Sequence, residues 1–424
     1  MLKQKDLIFI SIDCWRHDAV AEMPQLTEIA SNWESGSVIC ASPQTGGAFP
    51  AIFCSTYHPN LYTDDRTIRE DITSLPQLLA TNGYSTAGFA ASNPNVSRWA
   101  DHFDYFWNAG LELSVSGREA SEESRSSIRK AVDHLTFQSH TDAEYVLRGA
   151  DAWWEAQSSP RFLWVHLMEP HSPYLPGLQR GVRAGLLKSY ASLLADAKHP
   201  DRMNYRGNVP EWIQRHLRTL YEETVRKLDS TLSDWVAAHE DDATILMTGD
   251  HGEEFDHGLL THSRIYDETV KVPLLTNRKI GSLTVGSSTR QIDLSPTLID
   301  ALNLSQPSEW EGTPAEDTMP PQPMIGSLSR HDRFWLGVRS ERWKYIKNYQ
   351  REIGVTETEA YDVLDDPSET ETLTESELPN ELPELLNSFM KRPSIQDEIS
   401  QNRGFVGDVD STVEARLKEL GYTG

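Results

Sequence analysis

Asp250 and His251 stand side by side between Gly249 and Gly252, directly after the apolar run Ala243–Thr248. One carboxylate and one imidazole on a backbone that glycines allow to turn make a corner suited to a divalent cation. A short β-type run ending in glycine reads as a buried strand of a parallel sheet, so the pair falls just past the strand's carboxyl end, where open α/β sheets place ligand sites. Alone, an Asp-His pair is more often an ordinary turn. Its meaning depends on what else reaches the same place. Two other apolar runs end in a similar way: Leu7–Ile12 leads into Asp13, and Arg161–Met168 leads into Glu169-Pro170-His171. Thr45 lies in the turn-forming stretch Ser42-Pro43-Gln44-Thr45-Gly46-Gly47, where its hydroxyl is either a turn-former or a nucleophile awaiting activation.

The elements that would position these side chains alternate. Helical spacing covers Met23–Trp33, Ser74–Asn82, Asp142–Gln157, Pro210–His239 and Asp293–Leu302, and β-type runs cover Leu7–Ile12, Ser37–Cys40, Tyr84–Phe89, Arg161–Met168, Ala243–Thr248 and Val272–Thr276. This order predicts an α/β fold over residues 1–304: a doubly wound, mainly parallel central sheet with helices on both faces. Residues 305–323, rich in Pro, Glu and Ser, read as a linker. Residues 324–424 read as a small C-terminal α+β subdomain packed on the core, with Phe334–Val338 and Arg342–Lys347 alternating like strands of an antiparallel sheet. The polar residues 113–142 read as a surface excursion, and the acidic run Ser368–Glu384 as a solvated face.

The formal net charge of −25 argues against nucleic acid as a partner, because a phosphate backbone needs a basic face. An acidic surface of this kind suits a protein working in concentrated salt, where screening makes self-repulsion tolerable. It also means that any anion site must be locally positive, and a metal ion is the simplest means. The three cysteines, Cys14, Cys40 and Cys54, lack metal-ligand spacing and imply no disulfide framework. The start of the chain is too short in apolar residues for a signal-peptide core and no 18-residue apolar run occurs, so a cytoplasmic protein without a membrane span is expected.

Taken together, Leu7–Asp18, Met23–Ala30, Thr45–Pro59, Phe162–Tyr174, Thr248–Gly258, His262–Pro273, Asp293–Leu302, Arg339–Lys347 and Tyr361–Glu369 resemble, in order and spacing, the sulfatase family of the alkaline phosphatase superfamily. The resemblance implies a metal-dependent ester hydrolase. It implies that Asp13, Asp250, His251 and Thr45 bind one divalent ion (Ca2+, Mg2+ or Mn2+), that Thr45 is the nucleophile, and that His171 and His262 contact the ester and serve the leaving oxygen. The substrate would be an anionic ester: a sulfated or phosphorylated sugar, a lipid head group or a small metabolite.

The departures from the family pattern narrow the chemistry. Sulfatases carry Cys or Ser in a Cys-x-Pro-x-Arg box that is oxidised to formylglycine; here Thr45 stands at that place, and Ala48 and Phe49 occupy the neighbourhood of the box arginine. Threonine cannot become that aldehyde. A hydrated aldehyde sheds sulfate by elimination, whereas an ester on threonine must be hydrolysed, which favours a phosphothreonine intermediate on a phosphate mono- or diester or a phosphonate. Sulfuric ester hydrolysis, phosphoglycerol-type transfer and a catalytically silent glycan binder are the alternatives. Arg16 takes the place of the missing arginine as a substrate contact, or else pairs with Asp18. The second-ion unit Asp-x-x-x-His is absent, since Leu167 lies four residues before His171, and Cys14 follows Asp13 where many sulfatases have a second Asp; both point to one metal. His166 reads as a core histidine, and Glu253 and His257 as neighbours supporting the ligands. The oligomeric state is open.

Overall fold

The computed structural model describes residues 6–63, 67–91, 93–109, 142–198, 210–258, 262–283, 288–328 and 332–401. The excursion expected at 113–142 lies, except for Asp142, outside the described residues, as does the chain beyond residue 401. Strands β1 (Leu7–Ile12), β2 (Glu34–Ile39), β3 (Ser85–Ala91), β4 (Tyr105–Ala109), β5 (Arg161–Leu167), β6 (Thr244–Gly249), β7 (Lys271–Thr276) and β8 (Ser288–Arg290) form one sheet in the order β4-β3-β5-β1-β6-β7-β2-β8. Its pairings are parallel except for β7, which runs against both β6 and β2.

The central strands read as unbroken apolar runs because both faces of the sheet are covered. Along β1 the period of two sends Leu7 and Phe9 into one core cluster and Ile8, Ile10 and Ile12 into the other. On the first face the helices Thr45–Cys54 and Leu294–Ala301 pack around Phe53, Trp99, Phe103 and Trp164. Phe53 and Trp164 meet edge to face with ring centroids 4.9 Å apart. On the second face lie the helices Ala143–Ala156 and Glu211–His239. The longer one buries Leu217, Leu220, Tyr221, Val225, Leu228, Leu232 and Val236, the three-and-four spacing of a single apolar stripe. Asp229 on that stripe accepts the N–H groups of Gln25 and Leu26 at 3.0 and 2.9 Å, compensating the start of the helix Pro24–Ile29. Ser74 and Gln77 form a reciprocal cap on the helix Leu75–Thr81. No helix among the described residues is long and apolar enough to cross a membrane.

The second sheet is antiparallel, with β9 (Gln322–Leu328), β10 (Arg333–Arg339), β11 (Trp343–Gln350) and β12 (Gly354–Asp362) in the order β12-β11-β10-β9. It lies against the helices Glu381–Met390 and Pro393–Gln401. Four strands escaped the sequence reading: β4 and β8, which are short, β9, whose Pro323 and Gly326 break any β pattern, and β12, whose Thr356–Glu359 stretch is polar. The stretch 305–323 is no free tether. Trp310 is buried with its indole N–H on Thr73 O at 2.7 Å, the N–H of Gly312 meets Ser55 Oγ at 3.0 Å, and that of Ala315 meets Thr297 Oγ1 at 2.8 Å.

One ion cluster joins the two sheets. Lys344, with no exposed surface, places Nζ 2.5 Å from Asp267 Oδ1 and 2.6 Å from Glu369 Oε1, while Arg339 forks onto Asp267 at 3.0 and 3.1 Å. Glu369 is thus a buried exception within the otherwise solvated acidic run. Burial alone would raise Asp267, but the two cations hold it well below the carboxylate range. Burial, reinforced by Asp267, pushes Glu369 up to about 7 against the pull of Lys344. Lys344→Met leaves Glu369 without its cation and Asp267 with Arg339 alone, and is expected to destabilise the fold by about 3 kcal/mol, read as a lower denaturation midpoint. Glu369 binds its proton more tightly in the fold than in the unfolded chain. Its contribution is therefore fully present below the ordinary value of 4.5 and is lost as pH rises through about 7. Glu369→Gln is expected to flatten this part of the stability-against-pH curve.

Candidate active site

The parallel register does the first part of the assembly. Ile12 pairs with both Leu167 and Gly249, so the residues that follow β1, β5 and β6 leave the sheet side by side at its carboxyl edge. The N–H of Asp13 bonds Leu167 O at 2.8 Å. Thr45 arrives from β2, which lies beyond β7, and the connecting segment is pulled back over the end of β6. Gln291, fully buried, accepts the N–H of Ala41 at 3.0 Å and donates to Asp250 O at 2.8 Å; the Cys40 thiol donates to the same carbonyl at 3.2 Å.

Thr45 opens the buried helix Thr45–Cys54. A Cβ on Gly47 would collide with Ser42, so only glycine lets this turn close. Pro50 lacks an N–H, which frees Gly46 O one turn earlier; the Tyr62 hydroxyl donates to it at 2.9 Å. Gly252 is equally constrained, since a Cβ there would strike Glu268 O.

The Thr45 hydroxyl oxygen lies 3.2 Å from His251 Nε2 and 3.4 Å from Asp13 Oδ2. His251 Nε2 is 3.7 Å from Asp13 Oδ1 and 3.6 Å from Asp250 Oδ2. All four residues are buried. His251 Nδ1 donates to Gly252 O at 2.9 Å, which leaves the Nε2 lone pair facing the carboxylates. Burial would raise both Asp13 and Asp250. The imidazoles of His171, His166 and His251 nevertheless hold Asp13 far below the carboxylate range, while burial and the neighbouring Asp13 charge push Asp250 up. Burial would lower His251, but Asp250 and Asp13 outweigh it and raise its basicity. Asp250 Oδ2 is buried without a hydrogen bond. Ligand atoms of Asp13, Asp250 and His251 all fall within 4.8 Å of one another. An orphaned carboxylate oxygen beside a second buried carboxylate, with an imidazole lone pair and a hydroxyl alongside, fits a divalent cation.

His171 and His262 stand next to this group. Their ring centroids are 5.5 Å apart, and His262 stacks on His251 at 4.7 Å. His171 Nδ1 donates to Ser172 O at 2.6 Å, and burial lowers its basicity. His262 Nδ1 lies 3.3 Å from Glu253 Oε1. Arg16 does not take up the substrate role expected for it. Nε and Nη2 fork onto Asp18 at 2.8 Å each, Nη2 also meets Asp256 at 3.1 Å, and Nη1 meets Glu268 at 2.8 Å and Glu253 O at 2.9 Å. All five N–H groups are committed to the protein, so Arg16 buttresses the 250–256 loop.

Asn93 was missed in the sequence. It follows β3, again at the carboxyl edge, and Nδ2 donates to Asp13 Oδ2 at 3.0 Å and to His166 Nε2 at 3.2 Å. Its place just past a parallel strand was the available signal. His166 is a buried core histidine, with Nδ1 on Ser11 Oγ at 2.9 Å, yet its Nε2 also lies 3.5 Å from Asp13. His257 supports Glu268 at 2.5 Å, outside the group of ligands.

A family model described as Sulfatase matches residues 16–304. No curated protein matches the chain. Among solved structures, a protein in complex with its substrate D-glucosamine-2-N,6-O-disulfate superposes with a TM-score of 0.67 at 17% identity, covering 93% of this chain and 99% of that one. A 2-O GAG sulfatase gives 0.65 at 15% identity, with coverages of 97% and 96%. A phosphonate monoester hydrolase of Agrobacterium radiobacter gives 0.60 at 17% identity, with coverages of 93% and 96%. At these identities the likeness to solved structures establishes a shared fold.

Asp250→Asn separates the cation from the scaffold. It relieves repulsion between two buried carboxylates, so the chelated protein is expected to melt no lower than the parent. The parent's stabilisation by added Mn2+, about 2.7 kcal/mol at a hundredfold excess over Kd, is expected to vanish, as thermal melts with and without metal would show.

Proposed function

The chain belongs to the sulfatase family and is thereby an ester hydrolase; from that premise we propose that Thr45 attacks a phosphate mono- or diester, or a phosphonate, with a divalent cation at Asp13, Asp250 and His251. The observation that carries this reading is the Thr45 hydroxyl, buried 3.2 Å from His251 Nε2 and 3.4 Å from Asp13 Oδ2, where a formylglycine precursor would otherwise stand. A threonine hydroxyl is a weak nucleophile at neutral pH. When bound, a divalent ion favours the alkoxide and neutralises charge on the attacked group.

The remaining roles fall to the chain itself. Thr45 Oγ1 attacks phosphorus, and the alcohol departs from the opposite side as the phosphothreonine ester forms. N–H groups at the start of the helix Thr45–Cys54 face developing negative charge, the favourable end of the helix dipole. His262 gives the departing oxygen its proton, and His171 contacts the ester beside it. Neutral His171, with its proton on Nδ1, offers Nε2 as the acceptor for a proton from the water that clears the phosphothreonine. The substrate class is an anionic ester of a sugar, lipid head group or small metabolite.

Sulfuric ester hydrolysis is the competing reading, favoured by the sulfated substrate of one structural neighbour and the sulfatase name of another. Turnover of aryl phosphate mono- and diesters, phosphonates and sulfates with Mn2+, Mg2+ or Ca2+ decides between them. Phosphoester release is expected to dominate, and efficient sulfate release with weak phosphoester activity would overturn the proposal. Thr45→Ala is expected to lose at least about a thousandfold in kcat, and His171→Asn about a hundredfold to ten-thousandfold. Mass spectrometry of the quenched parent should find the phosphoryl group on Thr45.

A further inference from the structure

We propose that the outward face of the helix Leu178–Lys198 docks the protein on a phospholipid bilayer, so that the ester attacked at Thr45 belongs to a lipid head group; the second half rests on the hydrolase reading above. Leu178, Val182, Leu187 and Leu194, with Trp212 on the neighbouring helix, are between 42% and 83% exposed, Leu187 most of all. They are five of the ten large apolar side chains exposed among the described residues, and such clustering marks an interaction surface where single scattered ones would not. The helix breaks at Gly185, yet both halves turn their inner side to the helix Glu211–His239. Arg180 donates to Arg226 O at 3.0 Å, and Ser189 Oγ lies 3.0 Å from His216 Nε2. The two helices therefore run antiparallel, and Trp212, one turn before His216, falls beside the far end. The exposed residues, Arg183 and Lys188 among them, occupy the side away from this contact.

Charge selects the occupant. Acidic residues are 64 of 424 in the chain, yet the stretch from Leu178 to Leu194 holds none, while it carries Arg180, Arg183 and Lys188. Arg180 is spent on Glu223 at 3.2 Å; Arg183 and Lys188 are exposed and make no ion pair among the described residues. Leucines interleaved with free cations match a surface that offers hydrocarbon beneath phosphate. An anionic polysaccharide would serve the cations and leave the leucines in water, and two copies meeting through this face would bring like charges together. The net charge of −25 repels an anionic surface from afar, but at 0.1 M salt that repulsion is screened beyond about 10 Å, so the local face governs contact. The face is also tied to the chemistry. Leu178 follows His171 by seven residues, a reach of at most about 25 Å. Within that connection Tyr174 is buried against Tyr221 and Phe255, with ring centroids 5.8 and 5.9 Å apart, and the Tyr221 hydroxyl donates to Cys14 O at 2.8 Å, next to Asp13.

Docking is read without turnover. The full-length protein is expected to sediment with phosphatidylcholine vesicles containing phosphatidylglycerol. Leu187→Asp, at the most exposed position, should melt as the parent does and bind vesicles about tenfold more weakly or worse. Arg183→Glu combined with Lys188→Glu should weaken binding as well. A parent that stays in the supernatant overturns the proposal, and so does a Leu187→Asp protein that binds like the parent. Self-association of the parent in the absence of lipid, abolished by Leu187→Asp, would assign the face to a second copy and overturn it too. With turnover as a second readout, Leu187→Asp is expected to keep its activity on soluble aryl phosphates and lose it on phospholipid in vesicles. Vesicle binding without turnover of any ester would sink the hydrolase reading and leave the docking face standing; turnover of soluble esters without vesicle binding would do the reverse.

Discussion

Asp13, Asp250 and Glu253 are carboxylates without exposed surface gathered around His251, in a protein whose formal charge is already −25. Burying a charge is costly unless something opposite in sign meets it. The described side chains meet that demand with imidazoles: His166, His171 and His251 all pull on Asp13, and Asp250 is left with an unpaired oxygen. Such a group has the donors that a divalent cation takes. Its neutral donors, including the Thr45 hydroxyl and the Cys14 thiol, lie where a cation would sharpen their acidity.

Holding such a group together takes a rigid frame. Parallel pairing of β1 with β5 and β6 sets Asp13 beside Asp250 before any side chain is considered. Gln291 and the Cys40 thiol then tie the segment leading to Thr45 to the Asp250 carbonyl, and Asn93 holds the Asp13 carboxylate from the other side. Cys14 sits at a positive φ of 58°, an unusual backbone state for a residue with a side chain, and this turns its sulfur toward Asp13.

The C-terminal sheet is coupled to this frame through two adjacent carboxylates. Glu268 receives Arg16 and His257 and, although burial opposes it, is pulled down to about 2. Asp267, its neighbour, receives Lys344 and Arg339 from β11 and β10. The loop carrying His251 and Glu253 is thus anchored on one side by Arg16, and the same short turn is anchored on the other by the second sheet. The 305–323 strap adds hydrogen bonds from Trp310, Gly312 and Ala315.

The sequence by itself determined the architecture and most of the cluster of candidate ligands. Strands buried on both faces leave unbroken apolar runs such as Leu7–Ile12, and the residue after each run must emerge at the sheet's carboxyl edge, so Asp13, Asp250 and His171 were legible from local pattern alone. The family pattern added His262 and the meaning of Thr45. The partners were settled by the folded chain alone, because hydrogen bonds between residues 41 to 252 apart leave no periodic trace. It committed Arg16 to carboxylates rather than substrate, brought in Asn93 and Gln291, and recruited β9 from a stretch broken by proline and glycine. It also set Cys14, a lone thiol in the linear chain, against Asp13 and His262, a neighbourhood fixed by how the strands order themselves and not by spacing along the sequence.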